Sequence, residues 1–132
     1  MSDGPGALHQ VAQHVDDLGR AVTFYRDMLG LPLIATFDPP GLAFFDLGGA
    51  RLLLEAGAPS ALLYLRVDDI DRRFDEMGAA GVTFEDEPHL IHRDDDGRFG
   101  PARNEEWMTF FRDSEQNLLA LVERRLAPLN SA

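Results

Sequence analysis

The chain has no cysteine, and all twelve of its basic side chains are arginine, so lysine is absent as well. A Schiff-base lysine, a P-loop lysine, a catalytic thiolate, a zinc–thiolate cluster and a disulfide framework are thereby excluded. Long apolar runs are also missing. The stretch from Leu52 to Leu65 is broken by Glu55, Gly57, Pro59 and Ser60, well short of the roughly twenty residues that a membrane-spanning helix needs. Met1 to Ala7 is short, polar and glycine-rich, without the basic-then-apolar order of a secretory signal. The expectation is a cytoplasmic protein with no membrane partner. Positive charge is scarce too: 23 acidic side chains outweigh the arginines, for a net charge of −11. That balance argues against nucleic acid as a partner.

What is present fits one domain spanning residues 1–132, with apolar residues at 45%, enough for a real core. The main signal is internal repetition. Val15-Asp16-Asp17-Leu18-Gly19-Arg20 recurs as Val67-Asp68-Asp69-Ile70-Asp71-Arg72. A strand-like run precedes each copy (Leu8–Val15 and Ala61–Val67), and a helical pattern follows. Leu18, Ala21, Val22, Tyr25 and Met28 or Leu29 form the first apolar stripe, and Ile70, Phe74 and Met77 form the second. Asp16 or Asp17, and Asp68 or Asp69, are N-caps; Gly30, and Gly78 or Gly81, are terminators. Strands are expected at Pro32–Thr36, Leu42–Asp46 and Arg51–Ala56, and again at Val82–Asp86, Trp107–Arg112 and Leu118–Glu123. The order is βαβββ twice, in modules of about residues 8–57 and 61–124. Leu90–Asn104 reads as a long irregular loop, a lid or an excursion. Its Asp94-Asp95-Asp96-Gly97 lacks the alternating ligands of a calcium loop.

Two βαβββ units carrying Phe24-Tyr25-Arg26-Asp27-Met28-Leu29-Gly30-Leu31, and closing on Phe110-Phe111-Arg112-Asp113 to Glu123, resemble the vicinal oxygen chelate superfamily. This is the family of glyoxalases, bleomycin resistance proteins and extradiol dioxygenases. The resemblance implies an α+β fold in which two modules form a curled half-barrel cup for a small molecule, and a homodimer. In metal-dependent members it also implies an ion held at four positions, which fall here on Gln10, Glu55, Leu62 and Ala120. Two of these have no donor atom, so the expectation is no metal and no cofactor. A divalent ion is the alternative, with Gln10, Glu55, His89 and His92 as its weak candidates. His89 or His92 would have to reach Glu55 for such a site to form.

Alternation along the strands gives the lining of the cup. Gln10, Ala12 and His14 come from one strand, and Leu53 and Glu55 from another. Leu62, Tyr64, Arg66, Met108, Phe110, Leu118 and Ala120 belong to the second module. Trp107 and Phe111 then face the helix, and Glu123 is a solvated charge at a strand end. No two-histidine, one-carboxylate triad falls in the cup, which argues against an oxygenase. The first functional reading is a metal-independent binding protein that sequesters a drug or metabolite, as in antibiotic resistance. The acidic surface favours neutral or cationic ligands. The alternative is a lyase, epimerase or isomerase acting next to a carbonyl. Glu55 would be its base, with Gln10, His14 or Tyr64 stabilising the enolate.

Overall fold

A computed structural model describes residues 4–127. The chain divides into two compact units at the Ala61–Leu62 junction. The first unit contains β1 (Gln10–His14), α1 (Leu18–Thr23, prolonged by a π-helical turn over Phe24–Met28), β2 (Leu33–Phe37), β3 (Leu42–Asp46) and β4 (Arg51–Glu55). Its sheet runs β1-β4-β3-β2, with β1 parallel to β4 and the other pairs antiparallel. The second unit contains β5 (Leu63–Arg66), α2 (Ile70–Ala79), β6 (Thr83–Phe84), β7 (His89–Asp94), β8 (Asn104–Arg112) and β9 (Leu118–Leu126). Its sheet runs β5-β9-β8-β6, β7 also pairs with β8, and β5 is parallel to β9. The expected α+β class is present and the first unit has the expected βαβββ order, while the second carries one strand more, β7, as βαββββ; the sheets are not closed into a barrel.

In each copy of the repeat, the second aspartate makes the cap. Asp17 accepts from the Arg20 N–H at 3.0 Å, and Asp69 accepts from the Arg72 N–H at 3.1 Å. The first helix then departs from simple periodicity. The Leu29 N–H reaches back to the Phe24 carbonyl at 2.9 Å, five residues earlier. Phe24 and Tyr25, three and four residues after the buried Ala21, share its face and are both buried. Gly30 ends the helix at φ 80, where a side chain would be strained. In the second unit Gly81, rather than Gly78, takes the left-handed position. There Phe74, Phe84 and Phe111 stack in sequence, with ring centroids 4.6 and 5.6 Å apart.

Three sequence expectations are corrected. Leu90–Asn104 is not one long loop, because most of its first part is strand β7, paired to β8 with a bulge between Leu90 and His92. The remaining turn is organised by the buried Asp94, whose carboxylate accepts from the backbone N–H groups of Arg98 and Phe99 and from the Arg124 guanidinium. Burial works to raise the Asp94 pKa, but those donors outweigh it and hold the group below its ordinary value. The strand expected at Val82–Asp86 shrinks to Thr83–Phe84. Asp86 instead turns its side chain to the Thr109 hydroxyl and the Phe110 N–H. Glu123 is not a solvated charge: it accepts from the Ile70 N–H at 2.9 Å at the start of α2, and pairs with Arg125.

Gln13 is fully buried, and its amide clasps the backbone of Ala61. Its Oε1 accepts from the Ala61 N–H at 2.7 Å, and its Nε2 donates to the Ala61 carbonyl at 2.8 Å. Replacing this amide by an apolar isostere strands both backbone groups. Gln13→Leu is expected to lower the unfolding free energy by about 2 kcal/mol in urea titration. An unchanged midpoint would show that the clasp contributes nothing.

Candidate functional site

Each sheet is covered by its helix on one face only, and the registers determine what lies on the other. In the first unit, Leu52, Leu54, Ala43 and Phe45 are completely buried on the helix side. The β1–β4 register sets Gln10 beside Arg51, Ala12 beside Leu53 and His14 beside Glu55. The β3–β4 register sets Phe44 beside Leu53. Directly paired residues point the same way, so all of these lie on the open face. In the second unit, Tyr64 and Phe110 flank Ala120, while Arg66 and Met108 flank Val122. The helix side holds Phe111, Leu119 and Leu121. The Tyr64 and Phe110 rings meet edge to face at 6.0 Å. Leu62, just ahead of β5, is exposed.

Alternation therefore places Gln10, His14, Leu53, Glu55, Tyr64, Arg66, Met108, Phe110 and Ala120 on open faces, each within its own unit. His89 pairs with Met108 and His92 with Glu106, so the bulge in β7 leaves both histidines on the open side of the second sheet. Sequence reasoning missed Arg51 and Phe44. Extending the same alternation from Leu53 back two residues along β4 would have reached Arg51.

Arg51 changes the chemistry of the first sheet. Its Nε donates to the Gln10 Oε1 at 3.0 Å, and its Nη2 lies 3.2 Å from the His9 Nε2. A guanidinium has only donors, so both partners must be acceptors. The guanidinium also sits over the Phe44 ring, 5.6 Å from its centroid. Beside it a recess of about 290 Å³ is lined by Ile34, Ala35, Phe37, Phe44 and Arg51. The second unit carries a recess of about 360 Å³ lined by Tyr64, Arg66, Glu106, Met108, Val122 and Arg124.

His14 faces acceptors on both sides. Its Nδ1 lies 2.9 and 3.1 Å from the carbonyls of Ala56 and Ala58, and its Nε2 lies 2.9 Å from the Asp16 carboxylate. Only the imidazolium can donate from both nitrogens. The hydrogen bond to Asp16 raises the His14 pKa above its ordinary value; partial desolvation opposes this and the carbonyls reinforce it. His14 thus ties β1 to the turn after β4, and neither ring nitrogen points to a ligand.

A family-type ion would need four donors, and the residues here do not fit one. Gln10 offers its carbonyl oxygen to a fixed cation, while Leu62 and Ala120 have none to offer. Among the described residues, no three His, Asp or Glu side chains gather as metal ligands.

The family model described as Glyoxalase/Bleomycin resistance protein/Dioxygenase superfamily matches residues 7–121. The chain belongs to this superfamily. Bacillus subtilis (strain 168) protein YraH, an uncharacterized protein, is 30% identical over 88% of this chain and 97% of its own length. Lactoylglutathione lyase from Agrobacterium tumefaciens matches at a TM-score of 0.65 with 26% identity, covering 90% of this chain and 94% of that one. TnmS3, an antibiotic binding protein from Streptomyces sp. CB03234, shares the fold at a TM-score of 0.68 and 20% identity, covering 93% and 99% of the two chains. Proteins of this superfamily bind small molecules, and the fold is shared by a lyase and an antibiotic binder. No described helix is long and apolar enough to cross a membrane.

The His14 clasp has a defined pH signature. The folded pKa is raised, so the clasp adds stability at acidic pH, and that contribution is lost as pH rises through the raised value. In NMR titrations the His14 ring should deprotonate at higher pH than an unstructured histidine, and Asp16→Asn should lower that midpoint. Identical midpoints in the two proteins would refute the clasp.

Proposed function

We propose that this chain is a small-molecule binding protein of the glyoxalase/bleomycin resistance type. It sequesters a drug or metabolite in the cytoplasm without a metal ion, and it works as a homodimer. One observation carries this reading: the Gln10 amide oxygen, at the family's first ligand position, is taken by the Arg51 guanidinium at 3.0 Å. A divalent ion there would meet a fixed positive charge, and Glu55, opposite His14 four residues further along, is about 13 Å away at the usual strand rise. The first unit's recess fits this role as well, its walls being aromatic and aliphatic with Arg51 as their one polar side chain. The exposed Ile34, Phe37, Leu62 and Tyr64 supply apolar surface for a ligand or a second copy to cover.

A second reading has its own support. Glu55 is half-buried on the open face, its carboxylate has no hydrogen-bond partner among the described residues, and a 26% identical relative is a lactoylglutathione lyase. A lyase, epimerase or isomerase would use Glu55 to remove a proton next to a carbonyl. Within the first unit, however, Arg51 lies four residues away along β4, about 13 Å at the usual strand rise. The base and the fixed cation of this sheet therefore cannot act on the same carbonyl.

Native mass spectrometry of the purified protein, followed by titration of the organic molecule it retains, separates these readings. Binding predicts an intact retained ligand whose affinity changes less than about three-fold in Glu55→Gln, since a lost surface contact costs well under 1.4 kcal/mol. Conversion of that molecule by the wild type, falling about 100-fold or more in Glu55→Gln, would establish the enzyme instead.

A further inference from the structure

Arg51 also bears on what the ligand is. The chain as a whole is strongly acidic, yet Arg51, on the open face of the first sheet, makes no ion pair with a carboxylate among the described residues; its cross-strand neighbour Asp46 accepts instead from the Gly48 N–H at 2.9 Å. Several other arginines are paired with acids: Arg26 with Asp27, Arg112 with Glu85 and Arg124 with Asp94. The two hydrogen-bonding partners of Arg51, Gln10 and His9, are acceptors that orient the guanidinium without cancelling its charge, and Phe44 supports it from below. Nε and Nη2 are occupied, which leaves the Nη1 amino group and the rest of Nη2 directed to an incoming acceptor. Next to it the recess walls are Ile34, Ala35, Phe37 and Phe44, with nothing to pair with a ligand's polar groups except this guanidinium. A cationic ligand would be repelled by it, and a neutral one would gain no charge-assisted contact.

We propose that the ligand of the first unit's open face is an aromatic or alicyclic carboxylate, its ring resting on Phe37 and Phe44 and its oxyanion held by Arg51. This rests on the small-molecule binding reading above and assigns its ligand class. It replaces the expectation, drawn from net charge, of a neutral or cationic ligand. The local cation decides because it touches the ligand, whereas the acidic groups elsewhere on the surface are screened beyond about 10 Å in ordinary salt. A charge-assisted guanidinium–carboxylate contact is about twice as strong as a neutral one.

The test compares 2-naphthoate with its neutral isostere, 2-naphthamide, by calorimetric titration of the full chain. The wild type is expected to bind the carboxylate about ten-fold more tightly than the amide, the margin of one charge-assisted contact. Arg51→Met, which keeps an apolar stem at an exposed position, should bring the two probes to parity with the amide's affinity unchanged. Arg26→Met, on the helix and paired with Asp27, should keep the preference. Equal affinities in the wild type, or a preference that survives Arg51→Met, would overturn the carboxylate assignment while leaving the binding reading in place. Failure of both probes to bind the wild type would overturn the binding reading of this face along with it.

Discussion

Parallel pairing of β1 with β4 decides which side chains meet on the open face of the first sheet. Strand side chains alternate with a period of two, so one register sends Leu52 and Leu54 to the helix and leaves Arg51, Leu53 and Glu55 opposite Gln10, Ala12 and His14. A slip of one residue would bury Arg51 and expose the core leucines, which is why the register is strongly fixed. Gln13, on the buried side of the same strand, anchors the chain that leaves the unit at Ala61. The second unit repeats the scheme with β5 and β9, and there the equivalent pairs are Tyr64 with Ala120 and Arg66 with Val122.

Within that frame the family's ion site has been rebuilt. A divalent ion polarises a ligand's oxygens by sharing charge through several donors. Here a single guanidinium, fixed by an amide and an imidazole, supplies a positive charge with directional hydrogen bonds and no coordination sphere. Such a group recognises an oxyanion, but it does not generate a metal-bound nucleophile. His14, whose position on the strand invites a catalytic role, is spent on structure between Asp16 and the carbonyls of Ala56 and Ala58.

Much of the fold was legible because it rests on local rules. The repeated Val-Asp-Asp motif marks both helix starts, and strand alternation put Gln10, Glu55, Tyr64, Met108 and Ala120 on the faces that the registers turn away from the helices. Local rules failed where a long-range partner took control. The π-turn at Phe24–Met28, closed by the Leu29 N–H on the Phe24 carbonyl, has no cue in periodicity. Strand β7 is an edge strand with little apolar alternation, and it exists because β8 is there to pair with it. Glu123 looked solvated because its partner, the Ile70 N–H, is 53 residues away in sequence. The role of Arg51 was hidden for the same reason: Gln10 and His9 meet it only once β1 and β4 are side by side.

Calorimetric titration of nickel or zinc into chelator-treated protein tests the central claim most directly. With Arg51 seated on Gln10, the account predicts no saturable one-per-chain binding at micromolar metal. Stoichiometric micromolar binding that disappears in Glu55→Gln would contradict it and restore the family's ion to this site.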